Sequence, residues 1–311
     1  MKRTRRGFFG VALGIVMVAA GALATSGCGT AATTGGATTE ALRVNLLTFN
    51  LRYGTAPDGP NVWANRRDIA FDVMRHSQAD FIGFQEALPS QITEIAQALP
   101  GYAWVTRSRE VDETRGEAVP IFYRKDRWQM TTSGTFWLSE TPETPGSKTW
   151  GNTLPRVATW GRFVEKGTGR PVFVFNVHLD HQSQPAREKG TALVLQRMSD
   201  VTKDAAARDC RMPALALMGD FNSGEDNPVV QYAKGQGATP PMTLVDTFRV
   251  AHPDAKEIGT THNWAGKVST EKIDYIFTLP GVKVLRADII RDNKDGRYPT
   301  DHFPVMAEVA F

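Results

Sequence analysis

The sequence predicts an α/β protein in which two sheets pack face to face with helices outside. In its first half, short apolar strand runs alternate with stretches of helical periodicity. The last third is mostly consecutive strand-like runs, and two packed sheets are the arrangement that buries so much strand. The roughly 270 residues from Glu40 onward contain no internal linker long enough to divide them, so one large domain is expected.

The first strand covers residues 42–50, mostly apolar, and ends in the polar Asn50 before a loop rich in Gly and Pro. Over residues 63–76, Ile69, Ala70, Val73 and Met74 recur at helical spacing, with Arg66, Arg67, Asp68 and Asp72 elsewhere around the axis, which predicts an amphipathic helix. Residues 81–84 form a short apolar strand running into Gln85-Glu86, after which Pro89 starts a second helix and Pro100-Gly101 stops it. Strands follow over residues 102–105, 119–123, 128–138, 158–165 and 172–179, with a long helix over 185–207. A buried strand over 214–218 leads into Gly219-Asp220-Phe221-Asn222, and strands over 272–278, 282–290 and 303–309 complete the chain.

The N-terminus is an address rather than part of the fold. Thr4-Arg5-Arg6-Gly7-Phe8-Phe9 reads as a twin-arginine export signal, and the apolar run after it is a little short of the ~20 residues that span a bilayer. Ala22-Leu23-Ala24 suits an ordinary signal peptidase, while Ser26-Gly27-Cys28 resembles the end of a lipobox and residues 29–39 form a Gly/Ala/Thr tether. The expected organisation is an export signal over 1–27, a flexible tether over 28–39 and a catalytic domain over 40–311. The expected location is extracytoplasmic, and both processing routes stay open: a lipid anchor at Cys28 is the membrane contact if the lipobox is used, and there is none if signal peptidase cuts after Ala24.

The formal net charge of +3 falls to about −1 once Lys2, Arg3, Arg5 and Arg6 leave with the signal. A non-specific nucleic-acid binder draws its affinity from a basic excess, so nucleic acid is not the favoured partner. With Cys28 lipidated or removed, Cys210 is left without an intrachain disulfide partner and is assigned no role. Stability must come from a packed core, and a monomer is expected.

A spaced set of acidic, amide and imidazole residues falls near the predicted strand ends: Asn50, Glu86, His178, Asp220 with Asn222, Asp274, and the adjacent Asp301 and His302. Carboxylates without thiolates favour a hard cation, Mg²⁺ or Mn²⁺, and the histidines add donors for a phosphate. Asp220 and Asn222 on extended backbone point to one side, where one orients a water and the other donates to phosphate. An Asp-Asn turn capping a strand is the plainer reading of those residues. Asn176, His178 and Asp180 share one strand face, which calls for a function unless the face is solvated, and the same applies to His181. Asp274 sits among apolar strand residues and needs a partner, for which His302 is the candidate, with a structural ion pair as the alternative.

On these residues the chain resembles the endonuclease/exonuclease/phosphatase family, which includes pancreatic-type deoxyribonuclease, abasic-site endonucleases, inositol polyphosphate 5-phosphatases and bacterial sphingomyelinases. The motifs stand in the family's order as Thr48-Phe49-Asn50, Phe84-Gln85-Glu86, Asn176-Val177-His178-Leu179, Gly219-Asp220-Phe221-Asn222, Ile273-Asp274-Tyr275-Ile276 and Thr300-Asp301-His302-Phe303-Pro304-Val305. The likeness covers nearly the whole mature chain and is strongest to a secreted bacterial branch. It implies a four-layer α-β-β-α sandwich with two mixed sheets. Glu86 would be the principal ligand of Mg²⁺, with Asn50 and Asp301 near the same ion. Asp220 would orient or deprotonate the attacking water, and Asn222 and His178 would hydrogen-bond the phosphoryl oxygens. Asp274 would fix His302, which stabilises the pentacovalent state or assists the leaving oxygen. Glu117 looks like the glutamate that orients the first histidine, here His178, although an exposed loop glutamate is the competing reading.

Arg52, Arg66, Arg156 and Arg187 flank these motifs as candidate anion-binding side chains, with Trp63 as an aromatic wall. Each arginine reads equally as a surface charge. The expected function is an exported, Mg²⁺-dependent phosphoric-ester hydrolase, with Mn²⁺ as an alternative ion and phosphodiesters ahead of sugar or inositol phosphate monoesters. The alternative from another class is a non-catalytic surface protein that binds a phosphorylated or glycan ligand.

Overall fold

Side chains alternate between an inner and an outer face along the central strands of two sheets, and nearly all of them are buried on both faces. The computed structural model of the chain describes residues 40–209 and 213–311. The expected export signal and tether, Cys28 and Cys210 lie outside the described residues.

In order, the elements are β1 (Arg43–Asn50), α1 (Trp63–Ser77), β2 (Phe81–Gln85), α2 (Pro89–Ala98), β3 (Tyr102–Val105), β4 (Ile121–Arg124), β5 (Trp128–Trp137) and β6 (Val157–Glu165). They continue as β7 (Pro171–His178), α3 (Gln184–Asp209), β8 (Ala214–Asp220), α4 (Pro228–Ala233), β9 (Val245–Asp246), α5 (Thr247–Ala251), β10 (Asp274–Thr278), β11 (Lys283–Ile289) and β12 (Val305–Ala310). One sheet has the order β11-β12-β1-β2-β4-β3 and the other β5-β6-β7-β8-β10-β9. Both are mixed: β1 pairs in parallel with β2 and β7 with β8, while every other strand pair is antiparallel.

Three apolar clusters make the four layers. Val44 and Leu46 of β1 and Phe81 of β2 pack between the sheets against Val172 and Val174 of β7 and Ala216 and Met218 of β8. On the far side of the first sheet, Leu47, Phe49, Ile82 and Phe84 meet Ala70, Val73 and Met74 of α1 and Ile92 and Ile95 of α2. On the far side of the second, Phe173, Phe175, Leu215 and Leu217 meet Val194, Leu195 and Met198 of α3 and Val229 and Val230 of α4. The expected α-β-β-α sandwich is therefore present.

Two glycines permit the closest approaches. A Cβ on Gly83 would come within 2.8 Å of the Asn176 side chain across the two sheets, and one on Gly219, at φ +149°, within 2.1 Å of the Val177 carbonyl oxygen. Only glycine fits both positions.

The element expectations hold for the long segments, and the differences have local causes. β10 begins at Asp274, because Lys272 turns its ammonium into a buried pair with Asp246 at 2.7 Å. The two-residue β9 and the five-residue α5 are too short for any periodicity to mark them.

Candidate active site

The inner faces change from apolar to polar along their length, and the site lies where they turn polar. Counting by two along β1 gives Val44, Leu46, Thr48 and Asn50; along β7, Val172, Val174, Asn176 and His178; along β8, Ala214, Ala216, Met218 and Asp220. Asp274, paired in register with Asp220, opens β10 at the same end. All these polar side chains are buried, so the face of Asn176, His178 and Asp180 is not a solvated one. Asn176 serves the architecture: its amide donates to the carbonyls of Phe84 at 2.8 Å and Pro120 at 3.0 Å, and its Oδ1 accepts from Gln85 Nε2 at 2.7 Å.

Asn50 is the junction. Its Nδ2 donates to Glu86 Oε1 at 3.1 Å and to Asp220 Oδ2 at 2.9 Å, while its Oδ1 accepts from the backbone nitrogen of Arg52 at 2.9 Å. Glu86 Oε2 accepts from the Tyr53 nitrogen at 3.1 Å, and Asp220 Oδ1 from the Asn222 nitrogen at 2.8 Å. Arg52, Glu86 and Asn222 hold positive φ of 54°, 58° and 47°, a left-handed backbone that non-glycine residues adopt at a cost. The expectation that Asp220 and Asn222 share one side of an extended strand is corrected here, since β8 ends at Asp220 and the chain turns sharply. Asn222 still stays at the site, with Nδ2 bonded to the Leu179 carbonyl at 3.1 Å.

The predicted partnership of Asp274 and His302 is present, with His302 Nδ1 and Asp274 Oδ2 2.9 Å apart. Asp220 Oδ2 lies 3.6 Å from His178 Nε2 and 4.0 Å from His302 Nδ1. The two imidazoles are biased in opposite directions. Burial, then the charges of Arg156 and Arg109, holds His178 well below its ordinary value, so it is neutral. Burial also opposes charge on His302, but Asp274, by charge and hydrogen bond, outweighs it with help from Asp220 and Asp301, so His302 is held well above its ordinary value as the imidazolium. Burial first, and the Asp274 charge second, raises Asp220. Pairs of groups pushed apart in this way mark acid and base positions.

Several expected residues take other parts. Glu117 receives both ends of the Arg109 guanidinium, at 2.7 and 2.8 Å, and among the described residues no hydrogen bond joins it to His178. The assignment of Glu117 as orienter of His178 is therefore corrected; a carboxylate matched to an arginine fork has little acceptor capacity left for an imidazole. Arg66 is buried and donates to the carbonyls of Leu51, Arg52, Asn61 and Pro299, so it braces the loops and does not face a substrate. Trp63 is buried as well, its ring edge-on to Phe71 and its Nε1 donating to Glu94 at 3.1 Å, and so forms no open wall. Arg156 is buried close to His178, with Nη2 2.8 Å from His181 Nδ1. Arg52 binds Asp58 through two bonds and reaches within 3.9 Å of Asp301, which keeps it at the site's edge. Arg187 donates to the Asp180 carbonyl at 2.9 Å. Arg109 was missed, and no pattern in the chain marks it.

The donor set fits a hard divalent cation. Asp274 Oδ1 is buried without a hydrogen-bond partner, and one ligand atom each from Asp220, Asp274 and His302 lie within 4.8 Å of one another. His302 Nδ1 in that group is already engaged by Asp274, and the two carboxylates that the family resemblance implies as ligands, Glu86 and Asp301, are partly exposed. In this arrangement the Asn50 nitrogen faces the two carboxylates while its oxygen accepts from the Arg52 nitrogen, so Asn50 positions Glu86 and Asp220.

The sequence profile of the Endonuclease/Exonuclease/phosphatase family matches residues 47–302. A crystal structure of a family protein from Bacteroides thetaiotaomicron superposes with a TM-score of 0.78 at 30% identity, covering 88% of this chain and 99% of that one. A mannosyl-6-phosphatase from the same organism gives 0.76 at 31% identity, covering 86% of this chain and 100% of that one. Human Nocturnin, at 17% identity and a TM-score of 0.67 over 87% of this chain and 96% of its own, shares the fold. A protein of Acanthamoeba polyphaga mimivirus is 29% identical over 171 residues, 52% of this chain, and the match spans 60% of that relative's length.

Proposed function

The chain belongs to the endonuclease/exonuclease/phosphatase family of phosphoric-ester hydrolases, and from that premise we propose that it is an exported, divalent-metal-dependent phosphomonoesterase acting on a sugar phosphate. The observation that supports hydrolysis most strongly is the Asn50 amide bonded to both Glu86 and Asp220, beside the Asp274–His302 pair. It puts a candidate metal ligand, a base and a protonated imidazole within one buried constellation.

In this reading Asp220, held by Asn50 and by the Asn222 nitrogen, accepts the proton of the attacking water. The second amide hydrogen of Asn222 and the ring of His178 donate to phosphoryl oxygens as negative charge builds on them. The His302 imidazolium, fixed by Asp274, donates to the departing oxygen or to the charge on the pentacovalent state. Glu86 and Asp301 would hold the cation, Mg²⁺ or Mn²⁺, which when bound polarises a phosphoryl oxygen and offsets developing charge.

The monoester is favoured over the diester expected from sequence by the space beside His178. The cavity enclosed by Glu86, Arg109, Glu117, Arg156 and His178 is about 10 Å³, room for one water at most. A second esterified alcohol directed to that side of His178 would not fit, which supports the monoester. The sugar is suggested by the likeness to the mannosyl-6-phosphatase, a relative covered over its full length. Hydrolysis of mannose 6-phosphate and bis(p-nitrophenyl) phosphate, with Mg²⁺ and with EDTA, tests this reading. Metal-dependent turnover at least tenfold faster on the monoester is expected, and a preference for the diester would overturn the monoester assignment. Export by the twin-arginine route is part of the same proposal, checked by the intact mass of the protein recovered outside the cytoplasm.

A further inference from the structure

Beside Asn222 the molecule is open where it is closed beside His178. A cavity of about 430 Å³, within the usual range of small-ligand sites, has Asn222, Ser223, Thr270, Glu271, Lys272 and Arg187 among its lining residues. It starts two residues from Asp220. On the reading proposed above, the phosphate sits among Asn222, His178 and Asp220, and the esterified alcohol must extend toward this space.

The free hydrogen-bonding groups of the cavity are those that suit hydroxyls. Its cations are already used: Lys272 is fully buried, 2.7 Å from Asp246 and over the Tyr275 ring, and Arg187 donates to the Asp180 carbonyl and to Gln184. Glu225 is taken by Arg249. By contrast, Ser223 is 3% exposed and its hydroxyl is buried with no partner. Thr270 and Glu271 are exposed, and among the described residues neither side chain has a hydrogen-bond or ion-pair partner. Asp226 adds a further carboxylate to the lining. Hydroxyls and carboxylates without a spare cation accept from O–H donors and repel a second phosphate.

We propose that this cavity is the leaving-group subsite and that it binds a neutral polyhydroxylated alcohol, a hexose, with Ser223, Thr270 and Glu271 as its specificity determinants. A polyanionic leaving group, such as the next nucleotide of a nucleic acid, is disfavoured by the same groups. The inference rests on the proposed hydrolase reading for its chemistry, but sugar binding is measurable without turnover.

The test compares kcat/KM for mannose 6-phosphate and for p-nitrophenyl phosphate, whose leaving group has no extra hydroxyl to satisfy the cavity, in the wild type, Glu271→Ala and Thr270→Val. Both positions are exposed, so both variants should fold. The expected result is a fall of roughly tenfold or more in the sugar-to-aryl ratio, the size of effect that follows from losing a hydroxyl-specific contact. A ratio unchanged within about twofold in both variants would overturn the subsite. Saturation-transfer NMR with methyl mannoside separates this from failure of the hydrolase reading. Transfer that is present in the wild type and lost in Glu271→Ala supports the subsite even if no ester is cleaved. Absence of transfer in the wild type, or equal transfer in both proteins, overturns it.

Discussion

Asn50 Nδ2 and Asp220 Oδ2 meet at 2.9 Å, a single hydrogen bond that joins the end of β1 in one sheet to the end of β8 in the other. The same amide holds Glu86 at 3.1 Å, so one side chain fixes the separation of two carboxylates that repel each other. Asn50→Ala should lower kcat/KM by about 10²–10³, the range for losing a preorganised polar group at a reacting centre. It should also cost about 1–3 kcal/mol of stability, because two acceptors lose a buried donor. Steady-state kinetics and a urea melt on the same preparation check both.

Asp274 pushes its two neighbours in the same direction on the pH scale. Its charge raises Asp220 and, with its hydrogen bond, raises His302. In Asp274→Asn the Asp220 carboxyl therefore ionises at lower pH, moving the acidic limb of the kcat/KM profile down. His302, left with burial and weaker support, loses its proton at lower pH, so the alkaline limb moves down as well. A profile displaced upward on either side would contradict the assignment of the two groups.

Lys272 predicts a stability effect away from the chemistry. It is fully buried, pairs with Asp246 at 2.7 Å and lies 3.3 Å from the Tyr275 ring centroid. Asp246 in turn caps α5 by accepting from the Phe248 nitrogen at 3.0 Å. Lys272→Met leaves that carboxylate buried and unpaired, and should cost about 3–5 kcal/mol in urea denaturation. A loss below about 1 kcal/mol would mean that the pair is solvated.

His262 makes folding sensitive to mild acid. Its ring stacks on Phe303 at 4.2 Å, its Nδ1 accepts from the Gly266 nitrogen at 3.2 Å, and its Nε2 is buried without a partner. Burial is the main cause of its pKa being lowered to about 4. The unfolded chain therefore binds a proton that the fold excludes. The contribution is intact above the unfolded value near 6.5 and is lost as pH falls toward 4. Discounted for solvent screening, the loss is about 1–2 kcal/mol. Urea midpoints at pH 7 and pH 5 should differ less in His262→Asn, which keeps an acceptor and removes the titration; an unchanged difference would assign the acid sensitivity elsewhere.

The fold and most of the site were legible because both follow from alternation along strands. A polar residue closing an apolar strand lies on one of its two faces, and Asn50, His178 and Asp220 fall on the inner one by counting in twos. What sequence could not give was set by chain reversals and by burial of charge. Asn222 leaves the extended geometry at φ +47°, so it does not share a strand face with Asp220 and meets it through its backbone nitrogen instead. Glu117 finds Arg109 across a loop, a contact that no periodicity encodes. Arg66 and Trp63, three apart on α1, share its buried side, although a charged residue beside Asn65 and Arg67 reads as solvent-facing. Lys272 was hidden for the same reason.

The most direct measurement is phosphate release from mannose 6-phosphate by the protein with Mg²⁺, with EDTA, and in Glu86→Ala and Asp220→Asn. Turnover should require the ion and fall by at least about 10³ in Asp220→Asn, with Glu86→Ala needing far more Mg²⁺ to approach the wild-type rate. Turnover that persists in EDTA, or in Asp220→Asn at the wild-type rate, would mean that these two carboxylates do not carry the reaction.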